Sequence, residues 1–157
     1  MLCGTFAVRT CFFSVTKGIS EFKYRPSAKR KELTMKIVFL DAKTIGEDID
    51  LSRFDQLGEV VKYPFSTSAE VPERVKDADV LIINKITINK QTIHTAEHLK
   101  LICVTATGTD VLDKKYLEKR GIAWRNVADY STESVAQHTF AMLFYLLEKL
   151  RYYDDYV

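Results

Sequence analysis

The sequence predicts an α/β fold: a doubly wound parallel sheet of about five strands, followed by a long C-terminal helix. Three observations carry this. Val80-Leu81-Ile82-Ile83 and Leu101-Ile102-Cys103-Val104 are continuous apolar runs, the mark of strands covered on both faces. Such runs alternate with stretches bearing helix caps or helix-ending glycines, the pattern of βα units. Right-handed crossovers between parallel strands then place helices on both faces of the sheet.

In chain order, Met35-Lys36-Ile37-Val38-Phe39-Leu40 reads as a first strand straight after a Met, with Ile37–Leu40 its apolar run and a turn over residues 41–46. Leu51–Leu57 suits a short helix, with Gly58 at its C-terminal end. Val60–Tyr63 is a second strand, closed by Pro64. Ser68 is placed to cap a helix over Ala69–Lys76, with Pro72 in its first turns. Val80–Ile83 is the third strand, Lys90–His98 a weak helix, and Leu101–Val104 the fourth strand. Asp113 caps a helix over Lys114–Lys119 that ends at Gly121. Ile122–Trp124 is a fifth, shorter strand. A last helix starts in Ser131-Thr132-Glu133-Ser134, suited to capping, and runs almost to the end of the chain.

The 157 residues are 46% hydrophobic and 28% charged, ordinary for one globular domain with a real core. Net charge is +2 but uneven. Residues 1–34 carry seven Lys/Arg against two Glu, and residues 35–157 carry sixteen Lys/Arg against nineteen Asp/Glu. The globular part therefore has no basic bulk of the kind nucleic-acid binders use. No run reaches the ~18 apolar residues of a membrane helix, so neither nucleic acid nor membrane is an expected partner. Cys3, Cys11 and Cys103 are widely spaced, which gives no metal pattern and fits a reducing, cytoplasmic location.

Residues 1–34 form a basic extension, expected to be disordered; a targeting peptide is the alternative reading. Trypsin is expected to trim the chain between Arg25 and Lys36 and leave a folded remainder. Protection of that segment would refute this expectation.

Two loops invite chemistry. Asn84-Lys85-Ile86-Thr87-Ile88 follows the third strand, where free backbone N–H groups can bind an anion; it also reads as a connecting loop with a solvated lysine. Thr107-Gly108-Thr109-Asp110 follows the fourth strand, where open α/β sheets place ligands; it also reads as a tight turn capped by hydroxyls. Asp113 is better explained as a cap, and Asp110 as a turn residue. His94 and His98 are four apart without an HExxH pattern, and read as a surface pair. His138 is assigned no chemistry.

Three stretches carry a family resemblance. Gly108-Thr109-Asp110-Val111-Leu112-Asp113, Gly121-Ile122-Ala123-Trp124-Arg125-Asn126 and Ser134-Val135-Ala136-Gln137-His138 resemble three motifs of the D-isomer-specific 2-hydroxyacid dehydrogenases. These are the G-x-D-N-x-D turn, the x-x-G-I-x-V-x-N strand and the S-V-A-E-H helix start. Val111, Arg125 and Gln137 depart from the usual residues. The resemblance extends back to Met35 and covers about four-fifths of the chain. Tyr130-Ser131-Thr132-Glu133-Ser134 is similar to the glycerate dehydrogenase (hydroxypyruvate reductase) branch.

The resemblance implies a flavodoxin-like strand order. It also implies an NAD(P)-dependent oxidoreductase acting on CH–OH donors and reducing a small 2-oxo acid such as hydroxypyruvate or glyoxylate. Lys85, Ile86 and Thr87 would bind the substrate carboxylate, the loop doing so through backbone N–H groups. Thr107 would face NAD near its nicotinamide, and Gly108 would allow close backbone approach. The six glycines, at 4, 18, 46, 58, 108 and 121, build no G-x-G-x-x-G. The family's catalytic Arg, Glu and His have no counterpart in this chain either. The expected division is therefore an extension (1–34), a flavodoxin-like substrate-side domain (35–130) and the first helix of an otherwise absent NAD-binding domain (131–157).

A homodimer, or self-association through residues 135–150, is the expected assembly. The alternatives are an inactive truncated fragment or remnant, and a stand-alone flavodoxin-like binding module. A phosphoacceptor module needs clustered acids after the first strand and an Asp after the third; only Asp41 and Asn84 stand there.

Overall fold

A computed structural model describes residues 35–46 and 49–156. Expectations for residues 1–34 therefore lie outside the described residues. Five strands form one sheet: β1 (Met35–Phe39), β2 (Gly58–Lys62), β3 (Val80–Ile83), β4 (Leu101–Val104) and β5 (Ala123–Asn126). The order is β2-β1-β3-β4-β5, and every pairing is parallel. This is the doubly wound, flavodoxin-like order.

The continuous apolar runs become two cores because successive side chains in a strand point to opposite faces. Val38, Leu40, Leu81, Ile83, Ile102 and Val104 belong to one buried cluster. Ile37, Phe39, Val80, Ile82, Leu101 and Cys103 belong to the other. The first face is covered from α1 (Val71–Arg74), α2 (Lys90–Ile93) and α3 (Lys114–Lys119), which contribute Val71, Ile93 and Leu117. On the second, a 3-10 turn at Ser52–Gln56 supplies Phe54, whose ring meets Phe39 edge-on at 5.2 Å.

Several local expectations are corrected. Gly58 does follow a short helical turn, the 3-10 turn with Leu57 as its C-cap residue, but it also opens β2 opposite Met35. A Cβ there would lie 1.9 Å from the Met35 carbonyl oxygen, so the reason for glycine is close backbone approach. The helix expected over 69–76 is only α1, and Ser68 does not cap it. Glu70 is its N-cap residue, and its carboxylate instead accepts the Thr67 N–H at 2.8 Å and the Thr67 hydroxyl at 2.8 Å. Those bonds, the backbone one first, hold the Glu70 carboxyl below the usual carboxylate range.

The helix expected over 90–98 stops at Ile93. Asn89 caps its start by accepting from the Gln91 and Thr92 N–H groups. The Arg120 guanidinium donates to the carbonyls of Ile93 at 2.7 Å and Ala96 at 2.6 Å, satisfying acceptors that further helical turns would otherwise serve. Asp113 does cap α3, accepting from the Tyr116 N–H at 3.1 Å. Gly121 leaves that helix at φ +67, a conformation that favours glycine. The fifth strand falls at Ala123–Asn126 rather than at 122–124, in register with all of β4.

The last helical region departs most. The sequence expects one helix, but α4 (Thr132–Leu147) and α5 (Leu150–Tyr156) are separate, divided where Lys149 takes φ 49. Ser131 is the N-cap residue but makes no side-chain capping bond. No residue of α4 or α5 is buried. The alternative in which this segment folds back to cover the sheet is therefore not what forms. No helix among the described residues is long and apolar enough to cross a membrane.

Candidate substrate-side site

In the order β2-β1-β3-β4-β5 the chain reverses direction across the sheet between β1 and β3, and such switch points open a crevice beyond the carboxyl ends of the strands. Asp41 lies two residues beyond the end of β1, and Asn84-Lys85 follow β3 directly. Asp41 is 4% exposed. Its carboxylate accepts the Asn84 N–H at 3.0 and 2.9 Å on its two oxygens, and the Lys85 N–H at 2.6 Å. Two consecutive N–H groups converging on one point form an anion-binding nest. Here the chain fills that nest with its own carboxylate.

This places the three expected substrate residues unequally. The Lys85 N–H is taken by Asp41, so the residue has only its exposed side chain to offer. The backbone N–H groups of Ile86 and Thr87 have no hydrogen-bond partner among the described residues. Thr87 is exposed and Ile86 half-buried, packed against the first core. The Asn84 side-chain oxygen is buried with no donor on it, and nothing in the structure explains that.

Long-range bonds hold the two candidate loops side by side. Thr105, just after β4, donates its N–H to the Ile83 carbonyl at 2.7 Å and its hydroxyl to the same oxygen at 3.2 Å. Ile88 forms a parallel bridge with Leu112. The Ile88 N–H donates to Val111 at 2.8 Å, and the Asp113 N–H donates to Ile88 at 2.9 Å. The loop bearing Ile86 and Thr87 is thus stapled to the one bearing Thr107 and Gly108. Sequence reasoning missed Asp41, Thr105 and the Ile88–Leu112 staple. An acid directly after a buried strand was the available signal for the first.

Thr107 is exposed, but its hydroxyl donates to the Val127 carbonyl at 3.0 Å, and its carbonyl accepts from the Asn126 amide at 2.8 Å. The side chain anchors the loop to the end of β5, leaving hydroxyl lone pairs as its free polar capacity. Gly108 is exposed, and a Cβ there would meet only the Asp110 carboxylate, at 3.0 Å. No internal packing demands glycine at this position. No G-x-G-x-x-G fingerprint, the loop that cradles a dinucleotide's phosphates, stands in the sequence.

The two histidines are not a helical pair, since α2 ends at Ile93 and His94 turns its Nδ1 to within 2.8 Å of the Gln91 carbonyl oxygen. Among the described residues no group of three or more His, Cys, Asp or Glu could hold a metal ion.

The family profile for the D-isomer specific 2-hydroxyacid dehydrogenase catalytic domain matches residues 37–149. The chain belongs to this family.

Relatives fit that placement. A glycerate dehydrogenase of Methylorubrum extorquens is 35% identical over 115 residues, covering 73% of this chain and 36% of that protein. A hydroxypyruvate reductase of Blautia hydrogenotrophica is 28% identical over 127 residues, covering 78% of this chain and 39% of that one. Among solved structures, a D-lactate dehydrogenase of Aquifex aeolicus in complex with NAD and lactic acid superposes with a TM-score of 0.64 at 27% identity, over 76% of this chain and 36% of its own. This dehydrogenase-family chain thus spans well under half the length of the relatives it matches, and the matched part holds both candidate loops.

Proposed function

We propose that this chain is the substrate-side part of an NAD-dependent D-2-hydroxyacid dehydrogenase that reduces a small 2-oxo acid such as hydroxypyruvate or glyoxylate. The observation that carries the proposal is the loop at the switch point, where Asp41 occupies two N–H groups and those of Ile86 and Thr87 stay open. They would receive the substrate carboxylate, with the Lys85 ammonium balancing charge nearby. Thr107 and Gly108 would form one wall of the cofactor cleft. The cofactor would do the redox chemistry while protein groups orient the substrate. The names of the two relatives above support hydroxypyruvate and glycerate chemistry.

Residues 35–130 are then the substrate-side domain and 131–157 the start of a cofactor domain. α4 would pack against the rest of that domain or against a second copy. The stand-alone signalling module is disfavoured because the one acid after β1 is buried and engaged rather than presented to solvent.

Residues 1–157 alone are expected not to oxidise NADH with hydroxypyruvate or glyoxylate, read at 340 nm. A chimera joining this chain through α4 to the cofactor half of the Methylorubrum extorquens glycerate dehydrogenase is expected to do so. A folded, NADH-binding chimera that turns over no small 2-oxo acid would sink the proposal.

A further inference from the structure

We infer that Asp41 is a positioning residue that acts as a resident anion: it fills the Asn84–Lys85 nest and thereby confines an incoming carboxylate to the N–H groups of Ile86 and Thr87. This rests on the function proposed above for those two residues, but its structural half stands independently. A carboxylate almost wholly removed from water needs hydrogen-bonded compensation. Asp41 finds it in the N–H groups of Asn84 and Lys85. Its own backbone is fixed as well, because the Asp41 carbonyl accepts the Thr44 N–H at 3.0 Å and the Thr44 hydroxyl at 2.8 Å. Its neighbour Leu40 is pinned from both sides, donating its N–H to Ile82 at 3.2 Å and accepting the Ser66 hydroxyl at 2.6 Å. The carboxylate therefore sits on a strand end held by these bonds and dictates where the loop after β3 begins.

Two consequences follow from charge. A substrate carboxylate cannot share the nest, because a second anion against Asp41 would be repelled and the N–H groups there are already used. The same repulsion pushes the bound acid outward along the loop, toward Ile86, Thr87 and the α3-side staple at Ile88–Leu112. Asp41 thus sets the register of the substrate on the loop without touching it.

Amide hydrogen exchange and amide chemical shifts test this, in the chain carrying Phe140→Glu, Leu143→Gln, Phe144→Lys and Leu147→Gln to keep it dispersed. With Asp41 present, the Asn84 and Lys85 amides are expected to exchange slowly. Asp41→Asn offers one acceptor oxygen and turns an NH2 toward a donor, so exchange at both amides should rise about tenfold or more, while those of Ile82 and Ile102 stay protected. In Asp41→Ala, added formate should enter the emptied nest and restore protection.

Glyoxylate should shift the Ile86 and Thr87 amides when Asp41 is present, and the Asn84 and Lys85 amides as well in Asp41→Ala. Fast exchange at Asn84 and Lys85 with Asp41 intact overturns the inference, as does unchanged exchange in Asp41→Asn. Should either variant fail to fold, the exchange rates with Asp41 intact decide it. If glyoxylate shifts no amide in any variant, the function proposed for Ile86 and Thr87 fails and the inference falls with it in its substrate half; the formate and exchange results still judge the nest.

Discussion

Purified residues 1–157 are expected to self-associate through α4, with a sedimentation coefficient that rises with concentration, or to precipitate. The helix sequence is apolar round most of its circumference, and a helix of that kind is normally buried in a larger body. Among the described residues no such body covers it. Phe140 is 58% exposed, Phe144 55%, Leu146 71% and Leu147 64%, and Val135, Met142, Leu143, Tyr145 and Leu150 are also exposed. The Phe140 and Phe144 rings stack on each other at 6.4 Å, one turn apart, covering only part of one another. Full burial of one such side chain is worth ~1.5–3 kcal/mol. Nine of them left about half exposed forgo roughly 10 kcal/mol, comparable with the whole stability of a domain at ~5–15 kcal/mol. Large contiguous apolar patches are rare on monomers.

Phe140, Leu143, Phe144 and Leu147 share one face at helical spacing. Phe140→Glu with Phe144→Lys places an i,i+4 pair in the favourable direction, and Leu143→Gln with Leu147→Gln removes the remaining apolar side chains of that face without lowering helix propensity much. The four-fold variant is expected to sediment as a monomer at two concentrations differing tenfold. A parent chain that is already a concentration-independent monomer with a cooperative unfolding transition would rule the argument out.

Gly58→Ala is expected to destabilise the folded chain by about 2–3 kcal/mol, at the upper end of overpacking costs. The added Cβ would stand 1.9 Å from the Met35 carbonyl oxygen and 2.9 Å from its carbonyl carbon. Both are backbone atoms of the paired strand, so no side-chain rotation relieves the clash. Met35 and Gly58 open the β1–β2 register, and separating them shifts or frays the edge strand. At ~4–8 °C per kcal/mol for a small domain, the melting temperature should fall by roughly 8–24 °C. A melt measured in the dispersed four-fold variant, with and without Gly58→Ala, decides this. An unchanged midpoint would mean the two backbones do not approach so closely.

The sheet was legible because its signals are local. Val80–Ile83 and Leu101–Val104 are apolar at every position, and each is buried at every position. Asp113 as a cap and Gly121 as a helix end involve partners within a few residues, and both stand. The family could be read from three short motifs with fixed spacing, and residues 37–149 carry that match. The two loops that follow β3 and β4 were recognisable as candidate sites because the position of a loop after a buried strand follows from the fold class alone.

Helix lengths and the polarity of the site were not legible, because distant partners decide them. α2 stops where Arg120, 27 and 24 residues away, takes the carbonyls of Ile93 and Ala96. Glu70 bends back on Thr67, while Arg74 reaches the Phe65 carbonyl and the Ser66 hydroxyl; these bonds stand where a longer capped helix was expected. The Lys85 N–H looked free to bind an anion until folding put Asp41, 44 residues earlier, against it. Propensity and periodicity report what a segment prefers by itself, whereas a buried carboxylate must be paired with whatever donors the packed sheet brings within 3 Å, and only the tertiary structure determines which donors those are.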